Sequence, residues 1–296
     1  MTASGPTLLG READLATVDR ALDEMLGQVV GRLIVIEGPA GAGATSLLDA
    51  ICARAAARSV PVARATGDER SRTVPFAVAV GLFAGHLQAA GPGRRGALLA
   101  DRAALATPLF GPDGWSPPDD HDGGGLVEGL YWLAGQIARS DPGRRAPGLL
   151  IAVDDAHWCD HATLRLLARL TLRIEQLPLV VAIAAREGAP SDDDLLERLR
   201  GHPRAEILRP APHDAAAIAT LVGARLGRAG DPELVRACLQ ATGGNPFLVE
   251  EFLAALAVDG VPRGAVGALA AGGGAVAGAS ERAVAIRLEA VGAAGR

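Results

Sequence analysis

A glycine-rich stretch after an apolar run holds the first residues whose types and spacing could do chemistry. It consists of Gly38, Pro39, Ala40, Gly41, Ala42, Gly43, Ala44, Thr45 and Ser46. The spacing is that of a phosphate-binding loop (P-loop), in which glycine, four residues and a second glycine precede lysine and then serine or threonine. With 38 glycines in the chain, this spacing is expected by chance as well, so its context must decide. The apolar run "LIVIE" precedes it and the helix-like "SLLDAICARAAA" follows it, as a P-loop requires.

A pair of aspartates at the end of a second apolar run is the other chemical feature. Asp154 and Asp155 follow "LLIAV", which is the pattern of a Walker B strand. Asp154 would hold Mg²⁺ through water, the Thr45 hydroxyl would also serve the ion, and Asp155 would orient or activate the attacking water. A strand-end turn with a helix-capping aspartate is the plainer interpretation. The order and separation of the two motifs favour the nucleotide site.

Five short apolar runs must position these motifs, at residues 32–38, 60–65, 148–155, 179–186 and 205–210. They are nearly continuous in apolar residues, which is typical of parallel strands buried on both faces. After residue 210 only helical patterns follow, and they begin after Asp214, Asp231 and Asn245. The sequence therefore predicts an α/β fold: a P-loop NTPase with a five-stranded parallel sheet flanked by helices, followed by a small helical lid domain.

The predicted domain boundaries follow from the same patterns. Residues 1–208 form the NTPase domain and residues 209–260 the helical lid. Residues 261–296 form a Gly/Ala-rich segment that would open a further helical domain. A Pro-, Gly- and Asp-rich loop is predicted at residues 111–125.

Composition limits the possible partners. All 29 basic residues are arginine, and the net charge of −5 gives no general attraction to nucleic acid or to an anionic membrane. The apolar Gly/Ala stretch at residues 264–280 is shorter than the roughly 20 residues of a spanning helix. Neither a secretory signal nor a metal-like cysteine spacing is visible, so we expect a soluble cytoplasmic protein.

Several stretches together resemble a known family: "LLGREADLATVDRAL", "IEGPAGAGATSLL", "VDDAHWCDHATLRLLARL", "VVAIAARE" and "ATGGNPFLVEEFLAAL". They are similar to successive landmarks of the STAND-class AAA-type P-loop ATPase module. That module forms the N-terminal part of large LuxR-type, MalT-like transcriptional regulators of actinobacteria. The resemblance covers about residues 8–258, and its most specific parts are "DDAHWCD" and "GGNPF".

The resemblance implies ATP or ADP with Mg²⁺ as cofactors and assigns roles to residues. Gly10 and Arg11 would lie near the adenine, residues 38–46 would bind the phosphates, and Thr45 and Asp154 would serve Mg²⁺. Asp155 would be the hydrolytic acid, Arg186 the sensor of the γ-phosphate and Pro246 part of the lid turn that closes over the base. Arg186 could instead be an ordinary residue after a strand, and "GGNP" could be helix punctuation.

Ala44 is the main departure from the family pattern, because it stands where the P-loop lysine belongs. We expect weakened nucleotide binding and weak or lost hydrolysis, since the lysine charge supports the transition state most. The leading hypothesis is a nucleotide-binding regulatory switch with a protein partner or self-association. A nucleotide-free pseudo-ATPase scaffold and a slow genuine ATPase are the alternatives. The sequence shows no direct DNA-binding motif, and no membrane partner is expected.

Overall fold

The computed structural model describes residues 8–111, 123–139, 147–188, 194–227 and 231–259. Most of the predicted loop at residues 111–125, and all of residues 261–296, lie outside these ranges. In chain order the elements are α1 (Glu12–Gln28), β1 (Arg32–Gly38), α2 (Ala44–Ala57), β2 (Val62–Thr66), α3 (Ala77–Ala89), α4 (Pro92–Leu98), α5 (Gly124–Arg139), β3 (Leu149–Asp154), α6 (His161–Thr171), β4 (Leu179–Arg186), α7 (Asp194–Arg200), β5 (Ala205–Leu208), α8 (Ala215–Leu226), α9 (Pro232–Thr242) and α10 (Pro246–Asp259). Short 3₁₀ segments at Ser71–Thr73, Asp101–Phe110, Ala156–Trp158 and Ile174–Gln176 connect some of them.

The five strands form one parallel sheet in the order β2-β3-β4-β1-β5, which confirms the predicted fold class. Every residue of β3 is buried, and so are all residues of β4 except its last. This burial on both faces explains why the strands are read as continuous apolar runs. Because the strands are parallel, their carboxyl ends lie at one edge, where α/β proteins bind ligands.

A buried carboxylate fixes one of the helices that flank the sheet. Asp160 precedes α6, is 1% exposed, and accepts a hydrogen bond of 2.8 Å from the Thr163 N–H, as an N-cap does. The same carboxylate accepts a 2.7 Å bond from the Phe76 N–H just before α3. One side chain therefore satisfies the backbone at the starts of two helices.

The described chain falls into two compact units. The sheet unit comprises Ala13–Glu37 and Ala44–Arg209, and the helical unit comprises the described parts of Met1–Glu12, Gly38–Gly43 and Pro210–Arg296. In the helical unit, α8, α9 and α10 enclose a core of their own that is built from Ile218, Val222, Leu234, Cys238, Val249, Phe252 and Leu253. Within the described ranges, no helix has both the length and the apolar character needed to cross a membrane.

The helices of the helical unit begin where the sequence predicts. The Asp214 and Asp231 carboxylates cap α8 and α9 by accepting backbone hydrogen bonds from the first turns. The Asn245 side-chain oxygen accepts bonds from Phe247 N–H (3.1 Å) and Leu248 N–H (3.3 Å) at the start of α10. Short polar side chains at these positions replace the missing intrahelical partners.

Candidate functional site

The loop between β1 and α2 adopts a conformation that requires glycine at two positions. Gly41 and Gly43 have φ angles of +78° and +90°, which side-chain-bearing residues rarely adopt. A Cβ on Gly41 would also lie 2.7 Å from the Asn245 Oδ1 atom and 2.8 Å from the Phe247 Cβ atom. The second and third glycines of the motif are therefore needed for the backbone path and, at Gly41, for space.

Hydrogen bonds from the start of α10 hold two carbonyl groups of this loop. The Asn245 side-chain amide donates to the Ala40 carbonyl at 2.9 Å, and the Phe247 N–H donates to the Gly41 carbonyl at 3.2 Å. In a trans peptide the carbonyl and the following N–H point in opposite directions. Holding the Ala40 carbonyl therefore directs the Gly41 N–H away from α10.

The N-terminal segment holds the next carbonyl of the loop. Arg11 is 4% exposed, and its guanidinium donates to the Ala42 carbonyl at 3.3 Å. The N–H of Gly43, in the same peptide, therefore points away from Arg11. The Ala42 N–H itself is used within the loop, where it donates to the Pro39 carbonyl at 3.1 Å. Hydrogen bonds to the carbonyls of their own peptides thus fix the directions of the Gly41 and Gly43 N–H groups, and oriented backbone N–H groups can bind an anion.

The other predicted residues of the helical unit lie near this loop. Gly10, at φ +71°, immediately precedes Arg11. Pro246 is the first residue of α10, and its Cγ atom would be 4.0 Å from a Cβ on Gly43, an ordinary van der Waals distance. The predicted residues of the helical unit, Gly10, Arg11, residues 38–43 and Pro246, are therefore brought together.

In the sheet unit, α2 begins at Ala44, and Thr45 and Ser46 are the next two residues of this helix. Thr45 and Ser46 are exposed, and the N–H groups of a first helical turn have no intrahelical acceptor. Free N–H groups and the helix dipole favour an anion here. The Ala44 side chain adds no charge to that attraction.

The two residues predicted to serve Mg²⁺ lie side by side. The Thr45 hydroxyl donates to Asp154 Oδ1 at 3.3 Å, and the Asp155 N–H donates to the same oxygen at 3.0 Å. Asp154 is 4% exposed at the end of β3. Burial raises the pKa of Asp154, and the neighbouring Asp155 charge adds to the rise, while the Thr45 hydrogen bond opposes it. A hydroxyl beside a poorly solvated carboxylate is a donor set suited to a hard cation.

Asp155 has a strained backbone and an accessible carboxylate. Its φ and ψ angles are both +46°, in the left-handed region, and its side chain is 51% exposed. Backbone strain of this kind, for a residue other than glycine, clusters at functional sites. The carboxylate remains open to solvent, as a group that positions water must be.

Arg186 is connected to the Asp155 region through His157. The Arg186 N–H donates to His157 Nδ1 at 3.4 Å, and that nitrogen is 3.9 Å from the Asp155 Oδ1 atom. Burial lowers the pKa of His157; the Asp155 charge opposes this, and the Arg186 and Arg200 charges support it. A neutral His157 accepting through Nδ1 carries its proton on Nε2, which is buried without a hydrogen-bond partner among the described residues. This linking role of His157 was not predicted from the sequence.

Glu37 is a second residue that sequence reasoning missed. It is 7% exposed near the end of β1, where its carboxylate pairs with Arg200 at 2.7 Å and with Arg209 at 2.9 Å. Arg200 also donates to the Arg186 carbonyl at 3.4 Å. An acidic residue inside the apolar run "LIVIE" was the available signal, because a buried carboxylate needs a cationic partner.

Comparison with known proteins identifies the family of the chain. A family model described as the AAA ATPase domain matches residues 7–183, which is more than half of the chain. The chain belongs to the AAA ATPase domain family. No curated protein sequence matches it significantly.

Solved structures with low sequence identity share its fold. Cdc6p from Pyrobaculum aerophilum is 17% identical with a TM-score of 0.57, and the alignment covers 88% of this chain and 64% of that one. The Orc1 protein from Aeropyrum pernix, solved in complex with DNA, is 18% identical with a TM-score of 0.51, over 89% of this chain and 65% of that one. This chain therefore spans somewhat less than two thirds of the length of either relative.

Proposed function

We propose that this chain binds ATP or ADP with Mg²⁺ and acts as a regulatory switch of the STAND class. The observation that supports this most directly is the Thr45–Asp154 hydrogen bond, which pairs the hydroxyl of the loop motif with the first acid of the second motif. The chain would correspond to the ATPase module of LuxR-type regulators, with an NTPase domain at residues 1–208, a lid at 209–260 and a further segment at 261–296.

Hydrolysis is weak or lost in this proposal because Ala44 replaces the lysine. A charge-assisted hydrogen bond contributes roughly 1.5–3 kcal/mol, so its absence weakens binding about 10- to 150-fold. A site of about micromolar affinity would then bind at tens to hundreds of micromolar. The chemical step loses more, because negative charge redistributes over the phosphate oxygens in the transition state. Bound Mg²⁺ would supply positive charge to the phosphates, held by Thr45 and Asp154.

The hydrogen bonds of the loop suggest how α10 could respond to nucleotide. A phosphate that accepts from the Gly41 N–H would polarise that peptide. This would strengthen the hydrogen bond that the Ala40 carbonyl of the same peptide accepts from the Asn245 side-chain amide. Nucleotide would therefore stabilise the start of α10. A protein partner or a second copy of this chain would sense that change. The net charge of −5 makes DNA a poorer candidate, although the related Orc1 structure contains it.

Calorimetry of Mg-ATP and Mg-ADP binding tests this proposal, with phosphate release measured in parallel. The unchanged chain should bind at about tens to hundreds of micromolar, and Ala44→Lys should bind about 10- to 150-fold more tightly. Ala44→Lys should also release phosphate faster. Ala53→Lys is the matched control, because it adds the same charge at an exposed position of the same helix and should change neither property.

The alternatives give different results. If neither the unchanged chain nor Ala44→Lys binds at about millimolar nucleotide, the switch is wrong and a pseudo-ATPase scaffold replaces it. If the unchanged chain releases phosphate and Asp155→Asn abolishes that release, the chain is a slow genuine ATPase.

A further inference from the structure

We propose that Arg64 supplies to the phosphates the positive charge that Ala44 does not. The inference rests on the proposed nucleotide-binding function. Its basis is the position of the Arg64 guanidinium, whose Nη2 atom lies 3.9 Å from Asp154 Oδ2. No basic residue occurs at positions 38–46, so a cation for this site must come from elsewhere in the fold.

The sheet brings Arg64 to this position. Strand β2 pairs in parallel with β3, so that Arg64 lies opposite Ala152 and Thr66 lies opposite Asp154. The long Arg64 side chain extends along the sheet by about two residues toward the carboxyl edge and reaches the Asp154 carboxylate.

Helix α2 holds the guanidinium in place. Arg64 Nη1 pairs with Asp49 Oδ1 at 2.5 Å. Asp49 follows Thr45 by four residues and therefore lies on the same face of α2, one turn further along. Asp49, which holds the Arg64 guanidinium, thus lies one helical turn from Thr45, whose hydroxyl is predicted to serve Mg²⁺.

The guanidinium has donors to spare for a phosphate. Its planar fork carries five N–H groups, and the bond to Asp49 occupies Nη1. The contact to Asp154 is longer than a hydrogen bond, and the side chain is 38% exposed, so solvent and ligand can reach it. Two carboxylates, Asp49 and Asp154, contact this one guanidinium. If Mg²⁺ takes over the charge of Asp154, Arg64 remains tied to Asp49 with Nη2 available.

The competing interpretation is that Arg64 is only a counterion for Asp154. In that case Mg²⁺ would have to displace it, and its removal would leave ATP binding unchanged or make it tighter. If Arg64 replaces the lysine, its removal would weaken ATP binding, and the loss would be recovered by restoring the lysine. The two interpretations therefore predict different effects of removing Arg64 on ATP affinity: a counterion role predicts unchanged or tighter binding, and replacement of the lysine predicts weaker binding.

Calorimetry with Mg-ATP on a set of variants distinguishes them. We expect Arg64→Gln to weaken binding about tenfold or more, and Arg64→Lys, which keeps the charge, to stay within about threefold of the unchanged chain. Ala44→Lys should improve binding by a larger factor in the Arg64→Gln background than in the unchanged chain, because each cation then serves the same phosphate charge. Thermal unfolding confirms that each variant is folded.

Arg58→Gln is the matched control. Arg58 pairs with Asp19 at 2.9 Å and Asp23 at 3.1 Å, just beyond the far end of α2. That end is about 20 Å from the start of the helix. This variant also removes an arginine paired with carboxylates, and it should bind Mg-ATP like the unchanged chain.

Equal or tighter Mg-ATP binding by a folded Arg64→Gln variant would overturn the inference and leave the proposed function intact. Binding by Ala44→Lys but not by the unchanged chain would also overturn it, because Arg64 would then fail to replace the lysine. If neither of these chains binds, the proposed function fails and the inference fails with it.

Discussion

Gly41→Ala tests whether contacts from α10 hold the loop between β1 and α2. The substitution acts in two ways. It places a side chain at φ +78°, and it puts a Cβ atom 2.7 Å from Asn245 Oδ1 and 2.8 Å from Phe247 Cβ. Both distances are too short for the present backbone positions, so either the loop or the start of α10 must move.

The expected cost follows from these two effects. The left-handed conformation costs an alanine about 1–2 kcal/mol. Movement of the loop away from α10 breaks the bonds from Phe247 N–H to the Gly41 carbonyl and from Asn245 to the Ala40 carbonyl, each contributing about 1 kcal/mol. We therefore expect the free energy of unfolding to fall by about 2–4 kcal/mol. ATP affinity should fall about tenfold or more, because the N–H groups of the loop lose their orientation.

Urea unfolding followed by circular dichroism measures the first quantity and calorimetry the second. Gly227→Ala is the control, since Gly227 also has a positive φ (+63°) but a Cβ there would meet no atom within 4 Å. It should show the backbone cost alone and bind nucleotide normally. If Gly41→Ala loses no more stability than Gly227→Ala, the contacts from Asn245 and Phe247 do not hold the loop.

Three further predictions concern buried titratable and capping groups. Burial raises the pKa of Asp154, which means that folding disfavours its charged form, so Asp154→Asn should raise the free energy of unfolding at neutral pH without Mg²⁺. Unfolding measured with a chelator checks this expectation. The same variant should remove the Mg²⁺ dependence of ATP binding, which calorimetry with and without Mg²⁺ would show. Asp160→Ala removes a buried carboxylate that caps α6 and the segment before α3, and should cost about 2–4 kcal/mol in urea unfolding, against about 1 kcal/mol for the exposed cap Asp214→Ala. Burial lowers the pKa of His157, so the unfolded chain takes up a proton at higher pH than the folded chain, and stability falls as pH drops from about 7 to about 5. Unfolding measured across that range should show a shallower fall for His157→Gln, with the remaining slope due partly to His213, whose pKa burial also lowers.

The strands could be predicted from the sequence because burial on both faces leaves a continuous apolar run. The predicted runs at 32–38 and 179–186 coincide with β1 and β4. The predicted runs at 60–65, 148–155 and 205–210 differ from β2, β3 and β5 by one or two residues at their ends. The helix starts after Asp214 and Asp231 could also be predicted from the sequence, because capping depends on residue types within one turn.

The helices between β2 and β3 could not be predicted from such local sequence patterns. Helix α3, with the sequence "AVAVGLFAGHLQA", is apolar on nearly every side and so lacks the polar face that reveals a helix. The segment Asp101–Phe110 is a 3₁₀ helix that contains Pro108, and its period differs from that of an α-helix. These elements are defined by tertiary packing, which local patterns do not encode.

The residues of the candidate site also fall into two groups: those that are neighbours in the sequence and those that only the fold brings together. Residues contributed by one continuous motif, such as those of the loop, could be proposed from their order together with the strand and helix patterns on either side. Partners far apart in the chain could not: Asn245 bonds to the carbonyl of Ala40, 205 residues away, and Arg64 approaches Asp154 only because β2 pairs with β3. Nothing in the local sequence around Asn245 or Arg64 predicts these two contacts.

Ala44 changes the charge of the loop, whereas the backbone path of the loop depends on other residues, and this separation is the reason we propose a switch. The backbone path depends on positive φ angles at Gly41 and Gly43 and on hydrogen bonds to the carbonyls of Ala40, Gly41 and Ala42. None of these needs a lysine side chain. Backbone N–H groups that are held in place bind the phosphates of ATP and ADP in the ground state, whereas a lysine charge contributes most where negative charge develops during transfer. In the proposed function, losing the lysine from an otherwise ordered loop would therefore cost turnover more than occupancy, as expected of a protein that holds a nucleotide rather than consumes it.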